Sequence, residues 1–203
     1  VLRDEWRRTW AGYFGLVTMV DDCMGRVIRA LKEKGFWDDA LVVFTQDHGD
    51  CLGSHCMFQK MVMYEPSARI PLLAKPPGGA ASGRRRSPVG HVDIADTFCD
   101  YAGAPLMPGG WGSSLRPLIE NPSSAWRDAT FSEFNGDHGR GYPTRAVMTE
   151  RYKYFYHFCG KDELYDIVED PLETRNLVDE PQHQARRGEL RHRIREWMRQ
   201  TDD

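Results

Sequence analysis

The chain has 203 residues, of which 40% are hydrophobic, 28% charged and 11% aromatic; this is the make-up of an ordinary globular protein and excludes disordered, collagenous and low-complexity classes. Lys and Arg number 27 against 30 Asp and Glu, a formal net charge of -3, so nothing draws the chain as a whole to phosphate backbones or anionic lipid, and no nucleic acid partner is expected. No apolar run nears the ~20 residues that span a bilayer, and the opening VLRDEWRRTW is charged where a signal peptide would be apolar. The first residue is Val1 and not Met, so a processed or truncated start is expected and the compartment stays open. Cys23, Cys51, Cys56, Cys99 and Cys159 are odd in number and scattered. They are too sparse for a disulfide scaffold, read as mostly buried thiols, and favour the cytoplasm if anything.

From Thr9 to Lys34 the apolar positions Tyr13, Leu16, Val17, Val20, Met24, Val27, Ile28 and Leu31 recur at three- and four-residue steps. This predicts an amphipathic helix, with Gly35 as its stop. Leu41 to Thr45, LVVFT, is an unbroken β-branched and aromatic run, expected as a strand buried on both faces of a parallel α/β sheet. Ile70 to Ala74 is fenced by Pro71, Pro76 and Pro77 and predicts a short, edge-like strand. Arg84, Arg85 and Arg86 sit in a Gly/Ser-rich stretch, read as a solvated turn before an anion-binding loop.

Val92 to Ala102 has helical spacing at Ile94, Ala95, Phe98, Cys99 and Ala102 and is closed by Gly103. Gly and Pro then crowd residues 105–122, a linker or meandering loop. Thr130 to Phe134, Arg145 to Thr149 and Lys153 to Phe158 predict short strands, with a hairpin turn at Glu150-Arg151. Glu180 to Arg199 predicts a last, charged helix with Leu190, Ile194, Trp197 and Met198 on its inner face.

Chemistry concentrates in Gln46 to Lys60, QDHGDCLGSHCMFQK, directly after the first predicted strand. Ligand sites of open α/β sheets lie at the carboxyl ends of strands. Past the strand end, the oxygen of Asp47 and the imidazole of His48 can converge on one divalent cation, and Gly49 allows the sharp turn that follows. Lys60, thirteen positions beyond Asp47, can return an ammonium to an anion bound beside that metal. On spacing alone, a capped turn competes evenly with a ligand pair, and a solvated lysine is the default for Lys60.

These residues resemble a family. TQDHGDCLGSHCMFQK followed by YEPSARIPLLAKPPG is similar to the stretch of sulfatases in which a strand ends in Asp-His-Gly or Asp-Asn-Gly and the chain runs through a lysine to Tyr-Glu-x-x-x-Arg-x-Pro-Leu. Asp21 and Asp22 match its Asp-Asp helix, HVDIADTFCDYAG its Val-Asp-x-x-x-Thr helix, and ERYKYFY with ELYDIVEDPLETRNL its small C-terminal subdomain. The resemblance implies an α/β fold: residues 1–105 as the C-terminal part of the mostly parallel catalytic sheet domain, 106–128 as a Gly/Pro-rich linker, and 129–203 as a small antiparallel α+β subdomain. It further implies hydrolysis of a small-molecule or carbohydrate sulfate ester, with Asp47 and His48 as ligands of a divalent metal, calcium first and manganese or zinc as alternatives. Lys60 is then the residue that contacts the sulfate, in binding and in catalysis, and His55 is a further catalytic candidate that could equally be a plain hydrogen-bonding residue.

Other polar residues have structural readings. Asp21 and Asp22 suit surface, capping or packing roles, Glu65 and Arg69 an ion pair, and His91 a cap for the following helix ahead of a place at a pocket mouth. The family's nucleophile is a formylglycine made in a Cys-x-Pro-x-Arg context, and none of the five cysteines stands in one. It is expected in an N-terminal part, this chain being a C-terminal fragment with little activity of its own. The alternatives are a phosphonate or phosphate monoester hydrolase of the same alkaline phosphatase superfamily, a non-catalytic zinc module using His48, Cys51, His55 and Cys56, and a pseudoenzyme. Oligomeric state is left open.

Overall fold

A computed structural model describes residues 2–79, 82–121, 123–136 and 142–203. The chain divides into two compact units, Val1–Phe44 with Leu73–Ala81, and Thr45–Leu72 with Ser82–Asp203.

The first unit is led by α1 (Leu2–Glu33), which starts seven residues ahead of the expected helix. Its first turn carries Asp4 and Glu5, whose charges suit a helix N-terminus. Gly35 ends it at φ 73: the Gly35 N–H reaches the Lys32 carbonyl at 3.1 Å and the Phe36 N–H the Leu31 carbonyl at 2.9 Å, the paired bonds of a Schellman stop. Strands β1 (Val42–Thr45) and β2 (Leu72–Lys75) pair beside it. The ammonium groups of Lys32 and Lys75 lie over the Trp37 ring, 5.1 and 5.2 Å from its centre. The expected burial of the first strand on both faces is not met, since every residue of β1 is half-buried. The stripe along α1 is exposed from Tyr13 to Val20 and at Val27, with Leu16 at 59%, and half-buried at Met24, Ile28 and Leu31. Two four-residue strands are too small to cover a 32-residue helix.

The second unit holds a meander of four antiparallel strands, β3 (Ala129–Phe134), β4 (Thr144–Thr149), β5 (Tyr152–His157) and β6 (Glu163–Asp166), in that order. The first three are as expected to within a residue or two. β6 was not foreseen, because ELYD is short and charged at both ends. Successive side chains alternate between the faces. Ala129, Val147, Tyr154 and Leu164 face Leu190 and Ile194 of α5 (Gln184–Thr201), while Ala146, Phe155 and Tyr165 face Met63 and Tyr64. The register sets Val147 opposite Tyr154 and Tyr154 opposite Leu164, so one face is stacked across three strands. Leu190 and Ile194 are wholly buried, as the helical spacing required.

α3 (Val92–Ala102) has the predicted limits, ended by Gly103 at φ 65, but not the predicted inner face. Asp93, Asp96 and Thr97 are buried, whereas Val92 and Phe98 are 55% and 46% exposed. The cause is the Gly/Pro-rich stretch, which is tied to that polar face. The Asp93 carboxylate accepts from Ser113 N–H at 3.0 Å and Gly90 N–H at 2.8 Å, and it is paired with Arg127. Thr97 Oγ1 accepts from Leu115 N–H at 2.8 Å, and Asp96 from Met107 N–H at 3.1 Å. A short helix, α4 (Arg116–Glu120), follows within the stretch expected to lack regular structure. Of the cysteines only Cys51 is buried; Cys23, Cys56 and Cys159 are exposed, correcting the expectation of mostly buried thiols, because they sit on α1 and in turns.

On the second face of the sheet, the Glu163 carboxylate accepts from the Tyr64 and Tyr165 hydroxyls at 2.8 and 2.5 Å and pairs with His157 at 2.9 Å. Burial alone would raise its pKa, but the bonds from His157, Tyr165 and Tyr64 outweigh that and hold it below the ordinary 4.5. A depressed folded value means that the stabilisation is complete above about pH 4.5 and fades as the pH falls through the folded value. Glu163→Gln is expected to flatten this acid limb, read as urea midpoints between about pH 3 and pH 6; an unchanged pH dependence would show the cluster to be inert.

Candidate functional site

Two residues after β1 the chain bends at Asp47, and His48 and Gly49 follow without regular structure; Gly49 is not in the left-handed region, and what it supplies is close approach to the Pro66 carbonyl. His48 N–H donates to Asp47 Oδ1 at 3.0 Å. That bond, opposed by desolvation and aided by the charge of Lys60, lowers the Asp47 pKa and keeps the side chain ionised. His48 Nδ1 lies 2.8 Å from the Gly49 carbonyl. This contact assigns the proton of the neutral ring to Nδ1 and leaves the Nε2 lone pair free, the arrangement found in metal-binding histidines.

That lone pair points at two partners. Lys60 Nζ donates to His48 Nε2 at 2.6 Å, and Asp47 Oδ2 lies 3.3 Å from the same nitrogen. Two acceptor atoms so close repel unless a cation lies near both. Two donors each about 2.3 Å from one ion, at right angles, are about 3.3 Å apart. The pair therefore fits adjacent ligands of a divalent cation, and the Lys60 ammonium serves as a cation at the same place. Asp47 is 84% exposed and Lys60 is exposed, so both are open to a ligand.

The loop between them is fastened at its base. Asp50 Oδ1 accepts from Leu52 N–H at 2.8 Å and Gln59 N–H at 3.3 Å, and Cys51 N–H reaches the Gln59 carbonyl at 2.8 Å. Leu52, His55, Cys56 and Gln59 all hold positive φ, between 43° and 69°, a concentration of strained backbone typical of functional loops. α2 (Glu65–Ala68) then locks both ends: Ser67 Oγ donates to the Lys60 carbonyl at 3.0 Å, and Gly49 N–H donates to the Ser67 carbonyl at 2.8 Å.

The other sequence candidates separate from this centre. His55 is stacked on Tyr64, ring centres 3.9 Å apart and 7° from parallel. The Tyr64 phenol, pushed up to about 12 by burial and by Glu163, stays a hydrogen-bond donor. His91 makes no side-chain cap on α3, contrary to expectation; its Nε2 meets the Gln46 carbonyl at 2.7 Å, one residue before Asp47. Glu65 and Arg69 form the expected pair at 3.3 Å, but Glu65 also meets buried Lys153 at 2.8 Å, which no local pattern signalled. Asp21 and Asp22 are exposed on α1, in keeping with a surface role. Among the described residues, no group of three or more His, Cys, Asp and Glu is gathered to hold a metal. Thus His48, Cys51, His55 and Cys56 offer no zinc ligand set; Cys51 is buried, and burial raises its thiol pKa.

The family model for the C-terminal part of N-sulphoglucosamine sulphohydrolase matches residues 53–200. The chain belongs to the sulfatase family. It is 32% identical to an arylsulfatase of Clostridium perfringens over 91% of this chain and 39% of that protein, and 32% identical to an N-acetylglucosamine-6-O-sulfatase of Bacteroides thetaiotaomicron over 94% and 36%. The solved structure of BT4656 in complex with its substrate D-glucosamine-2-N,6-O-disulfate superposes with a TM-score of 0.82 at 29% identity, covering 92% of this chain and 40% of that one. A phosphonate monoester hydrolase of Agrobacterium radiobacter superposes at 0.79 and 29%, covering 93% and 40%. This sulfatase-family chain thus spans less than half the length of those relatives. No described helix is long and apolar enough to cross a membrane.

Proposed function

We propose that Asp47, His48 and Lys60 form part of the active site of a sulfatase that hydrolyses a small-molecule or carbohydrate sulfate ester. The observation that carries this reading is the meeting of a carboxylate oxygen, an imidazole lone pair and an ammonium group, 3.3 and 2.6 Å apart, in a chain of this family. Asp47 Oδ2 and His48 Nε2 would hold a divalent metal, calcium first by family likeness and manganese or zinc as alternatives, with the Lys60 ammonium turned from Nε2 to the sulfate, since one lone pair serves one partner. Bound there, the metal supplies positive charge to sulfate oxygens and to the nucleophile. Lys60 binds the sulfate and offsets the charge that grows on its oxygens as the ester bond breaks. The Nδ1–H bond to Gly49 fixes the His48 tautomer and ring. His55, held on Tyr64, is a candidate for contact with the rest of the substrate.

The nucleophile, a formylglycine, is placed outside these 203 residues, none of whose cysteines stands in Cys-x-Pro-x-Arg. The substrates of the relatives favour a sulfated sugar. The phosphonate monoester hydrolases among the structural neighbours support a second reading, hydrolysis of a phosphonate monoester at the same residues.

Parallel assays of the full-length enzyme on an aryl sulfate and a phosphonate monoester separate the two. The sulfate is expected to be favoured by about tenfold or more in kcat/KM, with activity lost to a chelator and restored by Ca2+. A phosphonate preference would install the second reading, and chelator-resistant turnover would remove the metal from both.

A further inference from the structure

Beneath the site lies a charged group that the proposed chemistry does not use. Lys153, on β5, is 1% exposed, and its ammonium contacts Glu65 Oε1 at 2.8 Å and Glu173 Oε1 at 2.9 Å; the second is an ion pair off the hydrogen-bond axis. Glu173 is 0% exposed, and its other oxygen accepts from Glu65 N–H at 2.6 Å, capping the first residue of α2. The chain holds Glu173 at φ 52, in the left-handed region, to deliver that oxygen. Taking one lysine and one carboxylate wholly out of water costs several kcal/mol unless every contact is made, so the group is poorly suited to mere filling.

We propose that Lys153 and Glu173 are positioning residues: by gripping Glu65 they fix α2, and through Ser67 they set the placement of Lys60 and His48. The connection is continuous. Ser67, two residues after Glu65, holds the Lys60 carbonyl through its hydroxyl and the Gly49 N–H through its carbonyl. Gly49 follows His48, whose Nε2 receives the Lys60 ammonium. The inference rests on the site reading above.

Two variants of the full-length enzyme separate positioning from stability. The double variant Lys153→Met, Glu173→Leu replaces a buried ion pair by apolar groups and leaves the Glu65 carboxylate its Arg69 partner at 3.3 Å, which confines the loss of stability to the uncapped Glu65 N–H and the lost lysine contact. It is expected to melt no more than a few degrees below the parent, with kcat on an aryl sulfate lowered about tenfold and the side-chain 15N resonance of His48 Nε2 shifted. Glu173→Gln keeps an oxygen for the Glu65 N–H and loses the charge facing Lys153. It is expected to melt lower while kcat and the His48 resonance stay near the parent's.

If kcat and the His48 signal follow the melting temperature in both variants, or if neither changes in the folded double variant, the positioning role is overturned. Should the double variant fail to fold, Glu173→Ala, which drops the oxygen on Glu65 N–H, is compared with Glu173→Gln, which keeps one: a His48 resonance shifted in the first and unmoved in the second supports the proposal, and equal resonances overturn it. A shifted His48 signal in the double variant with unchanged kcat upholds the positioning and counts instead against the assignment of Lys60 and His48 to catalysis.

Discussion

Lys60→Ala in the full-length enzyme is expected to lower kcat/KM for a sulfate ester by about 10²–10³-fold with the fold intact. The side chain is exposed, its hydrogen bond among the described residues runs to His48 Nε2, and its anchoring contacts are made by its backbone carbonyl, which the substitution keeps. Loss of such a surface group changes stability by no more than about 0.5 kcal/mol, so the melting curve should overlay the parent's. Asp47→Ala is expected to lose at least as much activity and to weaken metal binding, since it removes an ionised carboxylate from a side chain that is 84% exposed. Lys60→Arg should not restore the rate, because a planar guanidinium does not reproduce a point charge 2.6 Å from an imidazole lone pair. Near-normal turnover by both alanine variants would remove these residues from the chemistry.

Gly49→Ala is expected to be the most disruptive small substitution in the loop. A Cβ there would land on the Pro66 carbonyl, 3.0 Å from its carbon and closer still to its oxygen. Backbone cannot yield as a flexible side chain does, so either α2 or the chain after His48 moves. Both outcomes strain the Gly49–Ser67 hydrogen bond of 2.8 Å and shift His48 from Lys60. A stability loss of about 2 kcal/mol or more together with at least about a tenfold drop in kcat is the expected pair of results, read by urea unfolding and steady-state rates. Gly188→Ala provides the control. In α5 an added Cβ meets nothing within 4 Å, and the change should stabilise by about 0.5–1 kcal/mol. Equal effects at the two glycines would refute the steric argument.

Sequence pattern alone was enough for whatever depends on neighbours in the chain. The limits of α3, the first three strands of the meander and the buried Leu190 and Ile194 of α5 all follow from local period or a glycine stop. Tertiary structure decided the rest. Which face of α3 is buried was set by a Gly/Pro-rich segment that satisfies its polar groups, against the apolar spacing. The grip of Lys153 and Glu173 on Glu65 joins residues 88 and 108 positions apart, beyond any helical or strand repeat. Periodicity reports how one segment meets solvent or core; a buried charge finds its partner only when distant segments close upon it, and the cost of leaving it unpaired is what makes that closure specific.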